Sequence, residues 1–452
     1  MSVELGFETI GNATIVAFDH GIPILATDPW TEGDAYFGSW AQPFDIPPAQ
    51  KNSINAAKYV WVSHGHPDHL SALSLAGCSG ATFLIPDHVG SRIHGGLSAE
   101  GYKTRILPSN QWLQLSDNIR VICFADWNQD SVLLVDIAGK DLLVNMNDGQ
   151  GLGWGKTIKR IIGQYENRFL LRLTTWGDAD MINFYDEAGA FIQPAAATKP
   201  PVGAMYSQSL KWWNCNYALP FSCFHRYQRT DSAHMNAFVT PLEEHFRGFD
   251  STHGELLGAH IIWDSERSTA TPISPDAAAP TLYPPEHFGD SWSDELDADD
   301  KRRLDAYFGA ISHLPSVLGK LHFVVGGKTH TIALGDKAPV IIFEVPRNSL
   351  MTAINYEVFD DLLIGNFMKT TLVGLPSLYP DFTPYVSKYA DNGLAKSPQE
   401  LRRYFREYMR RSRFNFVYDR LIHRGDMIFR RFVPYGGKLY DLARPIKYYL
   451  RY

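Results

Sequence analysis

The sequence predicts an α/β fold in which sheets are flanked by helices, on three observations. Short runs of β-forming residues recur at 13–18, 23–26, 59–62, 81–86 and 119–124. Two further runs, 131–137 and 142–145, are separated by Ala138-Gly139-Lys140, which is typical of a hairpin turn. Helical patterns lie at 156–163 and 204–213. Strands combined with helices in this order favour sheets covered by helices over an all-helical or all-β domain.

Composition limits the class of protein. With 452 residues, 45% of them hydrophobic, the chain is long enough for two or more domains with their own cores. A net charge of -7 gives no general indication of nucleic-acid binding. The four cysteines lack C-x-x-C spacing, which argues against a zinc knuckle or a disulfide framework. We see no signal peptide and no apolar run of membrane-spanning length, so we expect a soluble, cytoplasmic protein.

The composition changes along the chain and predicts three regions. Residues 1–264 form the first domain, 265–300 a linker rich in proline and acid, and 301–452 a second α+β domain. The second domain is expected to begin with a helix near Lys301, followed by strands at 321–325 and 340–345 and a helix at 350–356. Its tail from Arg402 onward is basic and aromatic. A solvated helix face is favoured there; docking of an acidic partner or of a phosphate-bearing substrate is the alternative.

The segment His64-Gly65-His66-Pro67-Asp68-His69 carries the chemistry. It follows the apolar run Tyr59-Val60-Trp61-Val62, which predicts a strand, then a ligand loop, then a helix opening near Asp68. His64 and His66, two apart on extended backbone, point the same way and can share one metal ion. Asp68 and His69 can face a second. Imidazole with carboxylate suits zinc or iron, so the segment predicts a two-metal site.

More ligands are expected where other strands end. Asp126 and Asp148 each follow a predicted strand of the first domain, although aspartate is also an ordinary turn residue. A later histidine is expected as well, and His225 is the first choice with His234 the second. Asp68, Asp126 and Asp148 are the candidate catalytic carboxylates. Arg226 and Arg229 could hold a substrate carboxylate or phosphate, or form plain salt bridges. Trp127 and Tyr227 suit a sugar or nucleotide face, or core packing.

The motif His64-x-His66-x-Asp68-His69 resembles the signature of the metallo-β-lactamase superfamily. The resemblance implies a four-layer αββα sandwich with one or two metals at its edge, and assigns Asp28 a supporting role. More narrowly, the chain resembles the CMP-N-acetylneuraminate hydroxylase family, over the segments 63–75, 123–127, 130–135, 140–148, 220–221, 359–365 and 378–380. This resemblance suggests a substrate role for Asp178. Residues from 321 onward are similar to the lipid-carrier-like domain of alkylsulfatases in the superfamily.

Two departures from that hydroxylase family matter. No Cys-x-x-His pair accompanies Cys223-Phe224-His225, so the Rieske cluster of that family cannot be held. Where hydrolytic members carry histidine as third ligand of the first metal, the corresponding residue here is Asp126. A carboxylate there adds negative charge and a harder donor, which favours iron over zinc. Alkylsulfatases of the superfamily, which are hydrolases, also use carboxylates at that position, so the resemblance leaves both chemistries open.

The leading hypothesis is therefore a non-haem diiron oxygenase, a hydroxylase or monooxygenase acting on a polar metabolite such as a sugar, a nucleotide sugar or an amino-acid-like molecule. It would need an external electron donor. The alternative is a zinc- or iron-dependent hydrolase of an ester, amide or phosphodiester. A third hypothesis is a carrier protein with a vestigial site. No nucleic-acid partner is expected, and pairing of two copies through the second domain stays open.

Overall fold

The computed structural model describes residues 3–175, 182–199, 201–379, 381–389 and 395–430, together with residues 432, 433, 439, 442, 443 and 446. The strands are β1 (Leu5–Ile10), β2 (Thr14–Asp19), β3 (Ile22–Thr27), β4 (Trp40–Ala41), β5 (Tyr59–Trp61), β6 (Thr82–Pro86), β7 (Lys103–Leu107), β8 (Trp112–Gln114), β9 (Ile119–Ala125), β10 (Ser131–Ile137), β11 (Asp141–Asn147), β12 (Asn167–Arg172), β13 (Phe184–Tyr185), β14 (Tyr217–Pro220), β15 (Arg226–Tyr227), β16 (Glu255–Leu256), β17 (Ile261–Asp264), β18 (Thr269–Pro272), β19 (Lys320–Val325), β20 (Lys328–Ala333), β21 (Val340–Glu344) and β22 (Lys369–Val373).

The helices are α1 (Pro48–Asn55), α2 (Ala72–Gly77), α3 (Arg92–Ala99), α4 (Gly155–Ile162), α5 (Val202–Trp213), α6 (Ala298–Gly309), α7 (Arg347–Tyr356), α8 (Phe359–Gly365), α9 (Thr383–Tyr389), α10 (Pro398–Ser412) and α11 (Phe414–Arg430). Among the described residues, no helix is both long enough and apolar enough to cross a membrane.

Two large sheets face each other in the first part of the chain. Within the described ranges, one sheet has the strand order β18-β17-β1-β2-β3-β5-β6-β7 and the other the order β16-β14-β12-β11-β10-β9-β8. Phe7, Trp61 and Trp263 of the first sheet share a buried core with Leu133 and Phe169 of the second. Both faces of the central strands are covered, which explains why β10 and β11 are apolar along most of their length and buried throughout.

Helices cover the outer face of each sheet. Ile54 of α1 and Leu75 of α2 pack with Val60 against the first sheet. Ile158 of α4 and Tyr206 of α5 pack against the second sheet. The layers are therefore helix, sheet, sheet and helix, and the predicted four-layer αββα sandwich with a smaller α+β part is confirmed.

A third sheet lies toward the carboxyl end, with the order β13-β22-β21-β19-β20 in the described residues. Its strand β13 comes from residues 184–185, well before the expected boundary at 264. Strand β18, inside the expected linker, extends the first sheet to Pro272. The rest of 265–300 leads to α6, whose start is capped by Asp297 with Asp300. The division into 1–264, 265–300 and 301–452 stays a prediction.

The helix after the histidine motif begins later than expected. Its first residue is Ala72, and Ser71 caps it by accepting a hydrogen bond from the Ser74 amide. The expectation of a helix opening near Asp68 is therefore wrong by about one turn. Residues 64–70 form turns instead, closed by hydrogen bonds from the amides of His69 and Leu70 to the His66 carbonyl. This longer loop lets the motif's side chains converge.

Candidate metal centre

The loop between β5 and α2 brings three histidines together. The His64 Nε2 atom lies 2.9 Å from the His66 Nδ1 atom, and the ring centroids of His64 and His69 are 4.3 Å apart. His64 and His69 are buried, and His66 is partly buried. Three imidazoles at this separation, away from bulk solvent, form a set of nitrogen donors that suits metal ions.

Each of these imidazoles has its other nitrogen held by a polar group. The Ser63 hydroxyl lies 2.9 Å from His64 Nδ1, and Asp28 Oδ2 lies 3.1 Å from His69 Nδ1. Asp360 Oδ2, from α8, lies 3.5 Å from His66 Nε2. Metal-binding histidines usually carry such a partner, because it orients the ring and makes the ligand more basic. Asp28 also accepts hydrogen bonds from the Ser63 amide and Asn147.

Asp148 faces both His64 and His69. Its Oδ2 atom lies 3.7 Å from His64 Nε2 and 3.7 Å from His69 Nε2. Suitable ligand atoms of these three residues all lie within 4.8 Å of one another. The Ser222 hydroxyl donates a 2.5 Å hydrogen bond to the other oxygen of Asp148 and lies 3.2 Å from His69 Nε2. Asp148 therefore lies beside both His64 and His69.

Asp68 is held on the His69 side. Its Oδ2 atom lies 3.4 Å from His69 Nε2 and accepts a hydrogen bond from the Asn12 side chain. The Tyr36 hydroxyl donates a 2.6 Å hydrogen bond to the other oxygen. Asn12, Tyr36 and Ser222 were not predicted, since single polar residues far away in sequence carry no pattern of their own.

The two candidates for the last histidine differ in their surroundings. His225 is buried, its ring stacks on Trp40 at a centroid distance of 3.7 Å, and its imidazole interacts electrostatically with Asp68. His234 is half-buried and lies 3.3 Å from the Asn183 side chain. The structure thus brings His225, rather than His234, toward Asp68.

Asp126 makes different contacts from Asp148. One carboxylate oxygen accepts a hydrogen bond from the Asn128 amide at 2.8 Å and the other from the Leu152 amide at 3.1 Å. Asp130, four residues later, interacts electrostatically with Asp148, His66 and His69. Asp130 was not predicted from the sequence, although Asp130 lies in the segment 130–135 that resembles the hydroxylase family. Asp360 likewise lies in the quoted segment 359–365.

The charges of this cluster shift its pKa values in opposite directions. Burial lowers the pKa of His64 well below its usual value, and the neighbouring His69 and His66 add to this. Burial also opposes a charge on His69, but Asp68, Asp148 and Asp28 outweigh it and raise the pKa of His69. Burial, followed by the charge of Asp148, raises the pKa of Asp130 to about 6. Several carboxylates are crowded around these imidazoles, and a bound cation would relieve the repulsion between them.

The predicted substrate residues are spread over several surroundings. Trp127 is buried against Phe416, and its carbonyl accepts a hydrogen bond from Tyr404. Arg226 donates to the Thr281 carbonyl, and Tyr227 is buried beside Trp40. Asp178 lies outside the described residues.

Arg229 is fully buried and its donors are used within the chain. Two of its nitrogens bind Asp231, and a third donates to Asp290 and to the Phe37 carbonyl. Its guanidinium also stacks over Phe367 at 3.9 Å. These contacts tie separate segments together and use the guanidinium within the chain.

Curated relatives match a limited part of the chain. Cytidine monophosphate-N-acetylneuraminic acid hydroxylase of Pongo pygmaeus is 27% identical over 128 residues, which cover 26% of this chain and 22% of that protein. The protein named inactive cytidine monophosphate-N-acetylneuraminic acid hydroxylase, from Homo sapiens, is 26% identical over 128 residues, 26% of each chain. The match thus spans about a quarter of those relatives or less. No family model matches the chain.

Solved structures similar to this one include a hydrolase and a hydroxylase. Igni18, a metallo hydrolase from Ignicoccus hospitalis, covers 48% of this chain and 82% of its own, with a TM-score of 0.32 and 13% identity. CmlA, a diiron beta-hydroxylase from Streptomyces venezuelae, covers 56% and 49%, with a TM-score of 0.33 and 13% identity. By its own layers, strand order and histidine loop, the chain has a metallo-β-lactamase-like fold, and over about a quarter of its length it resembles the CMP-N-acetylneuraminic acid hydroxylases.

Proposed function

We propose that the chain is a metal-dependent enzyme with a dinuclear centre, a non-haem diiron oxygenase that hydroxylates or oxidises a polar small molecule. The position of Asp148 carries this proposal. One of its oxygens is 3.7 Å from a histidine nitrogen of each half of the cluster, so a single carboxylate can serve two ions.

The donor set fits two ions. His64 Nε2 and His66 Nδ1 face each other and would hold the first. Asp68, His69 and His225 would hold the second, with Asp148 between them. For the remaining ligand of the first ion, Asp126 is the residue indicated by the sequence and Asp130 the one whose charge interacts with His66. Either choice supplies a carboxylate.

The balance of donors favours iron. Carboxylate oxygens from Asp68, Asp148 and a third aspartate are hard, anionic ligands, which suit iron in its higher oxidation states better than zinc. When bound, an iron pair would supply dioxygen activation, with electrons from an external donor. The hydroxylase names of the similar proteins point the same way.

The chain's own residues prepare the site. Tyr36 and Asn12 fix the Asp68 carboxylate by donating to its two oxygens, and Ser222 fixes Asp148. The full burial of His69 and Asp28 excludes water from one side of the cluster. Asp360 orients His66 from the opposite side. Fixed ligands reduce the reorganisation that binding and reaction would otherwise require.

A metallo-hydrolase is the second candidate. Four imidazoles, those of His64, His66, His69 and His225, lie in or beside the cluster, and a nitrogen-rich centre suits zinc. Zinc would lower the pKa of a bound water so that hydroxide forms near neutral pH. The substrate would then be an ester, an amide or a phosphodiester.

Metal analysis separates the two candidates. The chain is purified from cells grown with both iron and zinc available, and the bound metals are counted for wild type and Asp148→Asn. We expect two irons per wild-type chain and reductant-dependent consumption of dioxygen. Asp117→Asn, at an exposed position before β9, is the matched control and should keep both ions. Two zincs with hydrolysis of a generic ester or phosphodiester would contradict the oxygenase.

A further inference from the structure

A cavity of about 410 Å³ lies beside the two C-terminal helices α10 and α11. Helices α10 and α11 form one wall, and α9 with the residues after α6 forms the other. Its charged and aromatic lining comprises His313, Tyr385, Arg402, Arg420, His423 and Arg424. None of these residues belongs to the candidate metal centre.

Three arginines face this cavity without a carboxylate partner. Within the described part of the chain, Arg402, Arg420 and Arg424 form no ion pair. By contrast, Arg410 and Arg411 of α10 form ion pairs with Glu407 and Asp87. Arg402 and Arg424 are exposed and Arg420 is partly buried. The partly buried guanidinium of Arg420 is costly without a partner, and two further unpaired arginines stand beside it, so the pocket is suited to an anion.

Arg420 is held in place by aromatic contacts. Its guanidinium lies 4.1 Å from the centroid of Phe405 and 6.0 Å from that of Trp127. Burial, with the nearby charge of Arg424, lowers the pKa of Arg420 to about 10. The group therefore still carries its charge near neutral pH. A cation fixed by ring stacking loses little freedom when it binds an anion.

The opposite wall is also ordered. The rings of His313 and Tyr385 stack at a centroid distance of 3.5 Å and an angle of 6°. Asp381 lies 3.6 Å from His313 Nε2 but does not line the cavity. The acidic group thus supports the histidine without occupying the position where an anion would meet the arginines.

The basic charge is concentrated in this region. Residues 401–452 contain 14 lysines and arginines but four acidic residues, whereas the whole chain has a net charge of -7. The remainder of the protein is therefore strongly acidic. Arginines grouped around a cavity on an otherwise acidic protein indicate a local binding role rather than a uniformly basic surface.

We propose that this cavity binds a small molecule that carries a phosphate group, with Arg402, Arg420 and Arg424 donating to the phosphate oxygens. Arginine presents paired N–H donors that match a phosphate, and several such pairs make the strong hydrogen bonds that this class of ligand requires. The sequence left a phosphate-bearing ligand open for the basic tail, and the structure assigns the residues.

Calorimetric titration of the full-length chain tests the proposal. The probes are inorganic phosphate, adenosine monophosphate and adenosine, at about 0.15 M salt. We expect both phosphates to bind and adenosine not to bind. Arg402→Gln and Arg424→Gln should each weaken binding about tenfold or more, and both positions are exposed, so the variants should fold.

Arg403→Gln is the matched control, since Arg403 is exposed on the same helix but does not line the cavity. It should leave the affinity unchanged. An equal loss in all three variants would show an adventitious ion only, attracted by net charge, and would overturn the proposal. Absence of phosphate binding at millimolar concentration, or equal binding of adenosine and its monophosphate, would overturn it as well.

Discussion

Asp126 and Asp148 follow strands β9 and β11 of the same sheet, yet their carboxylates do different things. Asp148 lies between His64 and His69, at 3.7 Å from a nitrogen of each. Asp126 accepts hydrogen bonds from two backbone amides, those of Asn128 and Leu152. Position at a strand end therefore brings both residues to the site's edge of the sheet but does not decide what the side chain faces.

The local backbone explains the difference. The pairing of β11 with β12 shifts register between Asn145 and Asn147, and Asn147 has a positive φ of 47°. Such a bulge re-aims the following residue, here Asp148. Asp126 instead opens a tight turn, in which its carbonyl accepts from the Gln129 amide and its side chain from the Asn128 amide. That is ordinary aspartate turn chemistry.

The largest expected effect is that of Asp148→Asn. An amide has no full negative charge to share between two ions, so we expect the bound metal to fall from two ions to one or none. Activity should drop by at least about a hundredfold. Elemental analysis and circular dichroism of the purified variant check the metal content and the fold. Retention of both ions would remove Asp148 from the centre.

Asp360→Asn tests a carboxylate that reaches the histidines from α8. Asp360 orients the His66 ring through the Nε2 atom of His66. In Asp360→Asn the affinity for metal should therefore weaken about 10- to 100-fold while the fold is kept. Competition with a chelator measures the affinity. Ser387→Ala, which removes only a hydrogen bond to Asp360, should have a smaller effect. An unchanged affinity in Asp360→Asn would show that α8 merely packs beside the site.

Asp126→Ala is expected to behave in the opposite way to Asp148→Asn. It leaves the amides of Asn128 and Leu152 without their acceptor, which should cost about 1–3 kcal/mol in the free energy of unfolding. Two ions should still bind, which elemental analysis of the folded variant measures. Loss of one ion would instead support the role as third ligand that the sequence suggests for Asp126.

In the metal-free protein, Asp130 is expected to affect stability. Its pKa is raised to about 6 in the fold, by burial and then by Asp148, from an ordinary value near 3.8. The unfolded chain releases this proton more readily, so stability is lost as the pH rises from about 4 through 6. Asp130→Asn should therefore be more stable than wild type at pH 7 by up to about 3 kcal/mol, and nearly equal to it at pH 4. Urea unfolding at both pH values measures this, and a variant less stable at pH 7 would contradict it.

Much of the fold followed from local patterns. The runs at 59–62, 81–86, 119–124 and 131–137 all lie on or within one residue of a strand, and the pattern at 156–163 corresponds to α4. These segments are long or strongly apolar, so periodicity identifies them. The start of α2 at Ala72 could not be predicted from local sequence, because Ser71 caps the helix only once the preceding loop has closed.

The site was predictable in part. The six-residue histidine motif puts four donor groups close together by covalent connection, and the structure keeps them close. His225 and His234 could not be separated by sequence, since both lie in polar, aromatic surroundings. Their packing separates them: His225 stacks on Trp40 near Asp68, while His234 contacts Asn183.

The sequence by itself determined the α/β layers and the dense ligand loop at 64–69, because strand periodicity and ligand spacing are properties of neighbouring residues. The tertiary structure alone decided that Asp148 lies beside both His64 and His69, and that Asp360, 294 residues from His66, supports the cluster. The physical reason is that a side chain's direction depends on backbone turns and on packing between distant segments, and neither is encoded in local spacing.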